Sequence, residues 1–218
     1  DDLKEVKSWG VVLVSEEEGT RLKGVLRLKL KDLDLAALGR ALEAFDIPAR
    51  FDGVAVALLD HGAAPPGVSD RIFRFQHLCR SLEGRDDLLA FAYLAQETPS
   101  YLTRMKALAE TLKHLEGPLL LMDTAAAAAL GALEDDRVRG HRQRLLVNVG
   151  NSHTLAFRLS DNHVLSFFEH HTFLLDGPAI DRLILKLAEG SLTQEEVFGE
   201  GGHGCYILKK GSGRPFLS

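Results

Sequence analysis

Residues 145–159 run apolar, break at Gly150-Asn151-Ser152, and restart with apolar and polar side chains alternating, which commits this stretch to a β-hairpin. The same period of two returns in Val164-Leu-Ser-Phe-Phe168. Three antiparallel strands are therefore expected over residues 144–149, 154–159 and 164–170, followed by a helix from Pro178 to Glu189. The first turn also suits an anion. Gly150 is expected at positive φ, with Asn151 tolerating the same region, so that successive N–H groups face one concavity and the Ser152 and Thr154 hydroxyls add donors. A protonated His153 would contribute a charge-assisted hydrogen bond. The bland alternative is a plain hairpin turn, since Gly and Asn fill such turns with or without a ligand.

Upstream, residues 9–14 and 22–30 read as two strands joined through Glu16-Glu-Glu-Gly19. Asp34 caps a helix with Leu35, Leu38, Leu42 and Phe45 on one face, ended by Pro48. Val54 to Leu59 is a buried strand, and helices are expected from Ser69 to Leu82, Asp87 to Gln96 and Ser100 to Leu115. Leu119 to Met122 is a short strand. Asp123-Thr124 then opens an alanine helix whose lack of bulk allows close approach to another backbone or a ligand, or tight packing on a sheet. Near the end, Thr193-Gln-Glu-Glu196 has capping-box spacing, Gly201-Gly202-His203-Gly204 is either a backbone cradle or a mobile loop, and residues 209–215 form a flexible tail.

The alanine helix and the hairpin together resemble the actin-like ATPase superfamily of sugar kinases, actin and heat-shock chaperone ATPases. In that superfamily a Thr-Ala-Ala-Ala helix precedes a phosphate loop of the form Asp-x-Gly-x-x-x-Thr. Here Asn148-Val-Gly150-Asn-Ser-His-Thr154 keeps the Gly and Thr and replaces the Asp by Asn148. The resemblance implies an α/β, ribonuclease-H-like fold with mixed sheets flanked by helices, arranged as two half-domains of a truncated chain, 1–133 and 134–218. It implies nucleotide contacts from Asn148, Gly150, Asn151, Ser152, His153 and Thr154, and from Gly201, Gly202, His203 and Gly204 in the position of an adenosine loop. ATP or ADP with Mg is the implied cofactor. Because the element order lacks the strand that carries the first phosphate loop, kinase or ATPase activity is expected only in a full-length chain.

A closer resemblance rests on Asp176-Gly-Pro-Ala-Ile-Asp181 and Glu195-Glu-Val-Phe-Gly-Glu-Gly-Gly-His-Gly-Cys205. These are similar to an uncharacterised prokaryotic family labelled "putative pyruvate formate-lyase activating enzyme". The label implies a radical enzyme whose iron-sulfur cluster needs three clustered cysteines, and the chain has only Cys79 and Cys205. No iron-sulfur cluster is expected.

The remaining features narrow the function classes. A net charge of -5 gives no pull toward nucleic acid or an anionic membrane, and the basic run Arg137 to Arg144 lacks interleaved aromatics. No apolar run reaches a membrane span, and two distant cysteines fit a reducing cytoplasm. None of the histidines has metal-motif spacing, and His170 and His171 must face opposite ways on a strand, so no metal site is expected. Three readings follow: a nucleotide-binding actin-like module, a non-catalytic scaffold of the same fold with a protein partner or homo-oligomer, and the disfavoured activating-enzyme label.

Overall fold

A computed structural model describes residues 11–12, 14–28 and 31–208. They fall into two compact units, one up to Leu33 and one from Asp34 onward. In the first unit, residues 16–19 are not a hairpin turn. They belong to helix α1 (Glu16–Arg21), nucleated by a capping box in which Ser15 Oγ accepts from Glu18 N–H while the Glu18 carboxylate accepts from Ser15 N–H. No strand forms among the described residues of this unit, and the expected arms extend in part outside them.

The second unit is a mixed α/β fold with two sheets flanked by helices. After α2 (Leu35–Glu43), capped by Asp34, come β1 (Val54–Ala57) and α3 (Asp70–Ser81). Residues 87–96 depart from the expected helix. Asp87 caps a 3-10 turn (Leu88–Phe91), and the chain then extends as β2 (Ala92–Leu94). Antiparallel pairing of Ala92, Tyr93 and Leu94 with Met122, Leu121 and Leu120 outweighs local helix propensity there. Helix α4 (Thr103–Thr111) leads to β3 (Leu119–Met122), which pairs parallel with β1, giving a first sheet of order β1-β3-β2. The alanine helix α5 (Thr124–Ala132) follows, then the single turn α6 (Asp136–Arg139).

The second sheet begins with β4 (Gln143–Val149), β5 (His153–Ser160) and β6 (His163–His171), consecutive and antiparallel as their alternation predicts. Helices α7 (Gly177–Glu189) and α8 (Gln194–Gly199) cover one face. A strand absent from the sequence reading, β7 (Gly204–Ile207), closes the order β4-β5-β6-β7. The expected boundary at residues 133–134 lies inside this unit: Ala125, Ala126 and Ala129 of α5 share one core with Leu146, Leu155, Phe157 and Phe167 of the second sheet. Each fully buried Leu or Phe there contributes about 1.5–3 kcal/mol. Strand β5 is buried on both faces, its Ala156 entering a second core with Phe168 of β6 against Leu183, Leu187 and Val197. Residues 209–218, including the expected tail, lie outside the described residues.

Candidate metal centre

Period two carries the core face of the second sheet toward its strand ends, where the side chains change character. Along β6, Phe167, Glu169 and His171 share the face that packs on α5; along β5, Phe157 and Leu155 lead to His153. Register then sets His153 directly opposite His171. Counting outward from the tight turn after Ser160 would pair His153 with His170. A bulge between Arg158 and Leu159 shifts the pairing by one residue and brings His171 round instead. His170 faces the opposite side, as expected, its Nδ1 3.1 Å from the His171 carbonyl.

Two further histidines arrive from loops. His61 follows β1, and its loop is pinned by Asp60, whose carboxylate accepts from Gly62 N–H at 2.9 Å and from Met105 N–H at 2.8 Å. His203 precedes β7 and is fixed by its own N–H donating to Glu169 O at 2.9 Å. Gly202 beside it must lack a side chain, because a Cβ would lie 2.5 Å from His170 and 2.6 Å from Val197. The loop 201–204 is thus packed rather than mobile. Gly201 and Gly202 N–H donate to Phe198 and Val197 carbonyls.

The result is a cluster in which the ligand nitrogens of His61, His153 and His203 all lie within 4.8 Å of one another. His61 Nε2 and His153 Nε2 are 3.4 Å apart. Ligands placed about 2.0–2.1 Å from a tetrahedral zinc are separated by roughly 3.3 Å, so this pair already stands at ligand spacing. The His171 ring is centred 5.1 Å from His153 and 4.5 Å from His203. Burial lowers the pKa of His153 to about 4 and that of His203 to about 2, and it also lowers those of His61 and His171. Near neutral pH all four rings are uncharged, the form that ligates a metal. His153 is therefore not the protonated donor expected from the sequence.

Beneath the rings lies a charged layer. Arg74 of α3 is buried and forms ion pairs with Asp123 at 2.7 Å and Glu169 at 3.0 Å. Burial opposes its charge, yet the two carboxylates outweigh that and raise its pKa. For Glu169, complete burial raises the pKa while Arg74 counteracts it. One Glu169 oxygen, Oε2, has no hydrogen-bond partner and faces His203 Nδ1, also unpartnered, at 3.8 Å. A proton on Nδ1 directed at that carboxylate leaves Nε2 as the ligating nitrogen, the second-layer arrangement typical of metal-bound imidazole.

The other residues singled out from the sequence are placed as follows. Gly150 does not adopt positive φ; glycine is required there because a Cβ would lie 2.8 Å from the His153 carbonyl, to which Gly150 N–H donates. Asn151 and Ser152 are exposed at the turn, and Asn148 pairs with Leu155. The Thr154 hydroxyl is buried against that of Thr172 at 3.0 Å. Asp123 caps α5 through Ala125 N–H and pairs with Arg74, while Thr124 begins the helix. The turn and the glycine loop meet through His153 and His203, whose ring centres are 4.9 Å apart. Sequence reasoning missed His61, Arg74, Glu169 and His171 as members of one site. The signal was the polar run Glu169-x-His171 continuing a core face.

The family described as "Putative pyruvate format-lyase activating enzyme (DUF1786)" matches residues 1–216. The chain belongs to this family. No curated protein and no solved structure matches it. The radical enzyme implied by that label calls for three cysteine thiolates on an iron-sulfur cluster. Cys79 and Cys205 are one too few, and burial pushes both thiols up to about 12, so these residues do not fit that group. Among the described residues no helix is long and apolar enough to cross a membrane.

Proposed function

We propose that this protein binds one divalent transition-metal ion between His61, His153 and His203 and presents it to substrate at a position that no fourth ligand among the described residues fills. The observation that carries the reading is the convergence of three imidazoles from three separate segments, with a buried carboxylate facing Nδ1 of one of them. Such an arrangement has no role in apolar packing, because each buried imidazole must find a polar partner. The site lies beyond the carboxyl ends of parallel strands β1 and β3, the side on which open α/β sheets bind ligands. An imidazole set suits zinc, iron, nickel or copper.

A bound ion supplies Lewis acidity, polarising a carbonyl or phosphoryl oxygen and acidifying water. The chain's own residues do the rest. Glu169 and Arg74 hold His203 in one tautomer, and His171, next to the ligands but outside the set of three, is placed to exchange a proton with the reacting group. Titration with cobalt(II) tests the reading: one equivalent should give the visible absorption of a low-coordinate histidine site, and His153→Ala should abolish it. Absence of these bands in the unaltered protein would refute it.

A second reading keeps the actin-like, ribonuclease-H-like interpretation, in which residues 148–154 and 201–204 bind ATP or ADP with Mg. Its support is that the two segments meet and that Asn151 and Ser152 stay exposed. Calorimetry with ADP distinguishes it, since binding that Gly150→Val removes and that His61→Ala leaves intact would favour the nucleotide. A scaffold role in a reducing cytoplasm accommodates either ligand.

A further inference from the structure

The geometry points to an anionic substrate, one carrying a carboxylate or phosphate group that Arg71 receives at the mouth of the histidine cluster. This inference rests on the metal reading above and adds the class of molecule the site takes. Arg71 lies in the first turn of α3, one helical turn before Arg74, yet the two arginines are treated in opposite ways. Arg74 is sunk between two carboxylates, whereas Arg71 is half-buried and makes no ion pair among the described residues.

Its guanidinium is held instead by an aromatic face, stacking 4.1 Å above the ring of Phe198. A cation–π contact fixes the plane of an arginine without consuming its N–H donors, which stay available for a planar or tetrahedral oxyanion. The two acids that flank Phe198 in the chain are already committed. Glu196 accepts from Arg182 and Lys186, and Glu200 accepts from Arg182.

Arg71 also points the right way. Its Nη1 lies 4.0 Å from where a Cβ on Gly201 would be, which puts it against the loop that delivers His203. Its charge helps to lower the pKa of His171, after burial and His170, as expected of a cation beside that ring. The exposed Phe173, with its ring 5.2 Å from His171, and the half-exposed Leu174 complete an apolar rim on the same side. The bound ion and Arg71 are then two positive centres on one side of the cluster, with Asp70 the exposed carboxylate that acts on His61 there. A substrate that bridges them presents one charged group to Arg71 and its reacting group to the ion.

The test uses the cobalt(II)-loaded protein, with inorganic phosphate and acetate as probes titrated against the visible spectrum. Arg71→Ala and Arg71→Lys are compared at equal cobalt occupancy. Phosphate or acetate should perturb the unaltered protein saturably, and Arg71→Ala should weaken the effect about tenfold or more with cobalt affinity unchanged. Arg71→Lys should recover part of the loss. Which probe binds more tightly separates a phosphate from a carboxylate substrate. Equal anion affinity in the unaltered protein and Arg71→Ala overturns the inference while leaving the metal site standing. Failure to take up cobalt at all overturns the metal reading, and this inference with it.

Discussion

Glu169 marks the point where an apolar strand face becomes a reactive one. It is completely buried, shares Arg74 with Asp123, and has one oxygen left for His203. The conservative change Glu169→Gln keeps the volume and removes the charge. It should lower metal affinity about 10–100-fold, measured by competition with a chromophoric chelator, because His203 loses the group that orients it. Urea unfolding of the same variant should show a separate cost of about 1–3 kcal/mol from the under-compensated Arg74. An unchanged metal affinity would remove Glu169 from the site. At this scale the sequence disclosed less than it did of the fold. Asp123, His153 and His203 stand out in their motifs, but His61, Arg74 and Glu169 are ordinary residues until the chain brings them together. Local spacing carries no record of contacts made between a loop after β1, a helix and two strands.

Among the elements, legibility followed burial pattern. The three strands of residues 143–171 and the helix after them could be read because alternation, a tight turn and a capping Asp176 all agree. Strand β2 could not, because Ala92-Tyr-Leu94 extends only through pairing with β3, which no local pattern encodes. The capping box at Ser15-x-x-Glu18 lies within the Glu-rich stretch that reads as a turn between two strands. Strand β7 is concealed by Gly204 at its start and by the glycines just before it, which serve packing instead. Gly202 illustrates the point: Gly202→Ala would force a Cβ into His170 and Val197. This substitution should destabilise the fold by about 1–3 kcal/mol in urea and also weaken metal binding by displacing His203. A variant as stable and as tightly metal-binding as the unaltered protein would show that the loop is not wedged in place.

For the whole molecule, the buried histidines couple folding to pH. Burial lowers the pKa of His77 and His153 to about 4 and of His203 to about 2, while an unfolded histidine titrates near 6.5. Between these values the unfolded chain binds protons that the folded chain refuses. Stability from these groups is therefore complete above about pH 6.5 and is lost as the pH falls toward 4. The urea midpoint of the metal-free protein should drop steadily from pH 7 to pH 5, and His77→Gln should flatten that slope. A midpoint that does not move would mean the rings are not buried in neutral form. Neutral ligands also imply that metal binding at pH 7 releases few protons, so its calorimetric enthalpy should barely depend on the buffer.

All of this depends on one ion sitting among three histidines. Equilibrium dialysis against zinc at pH 7, followed by elemental analysis, measures it directly for the unaltered protein and for His61→Ala, His153→Ala and His203→Ala, with folding checked by circular dichroism. The account predicts one zinc per chain in the unaltered protein and a loss of retained zinc in each folded variant. Zinc-free unaltered protein, or variants that retain a full equivalent, would contradict it.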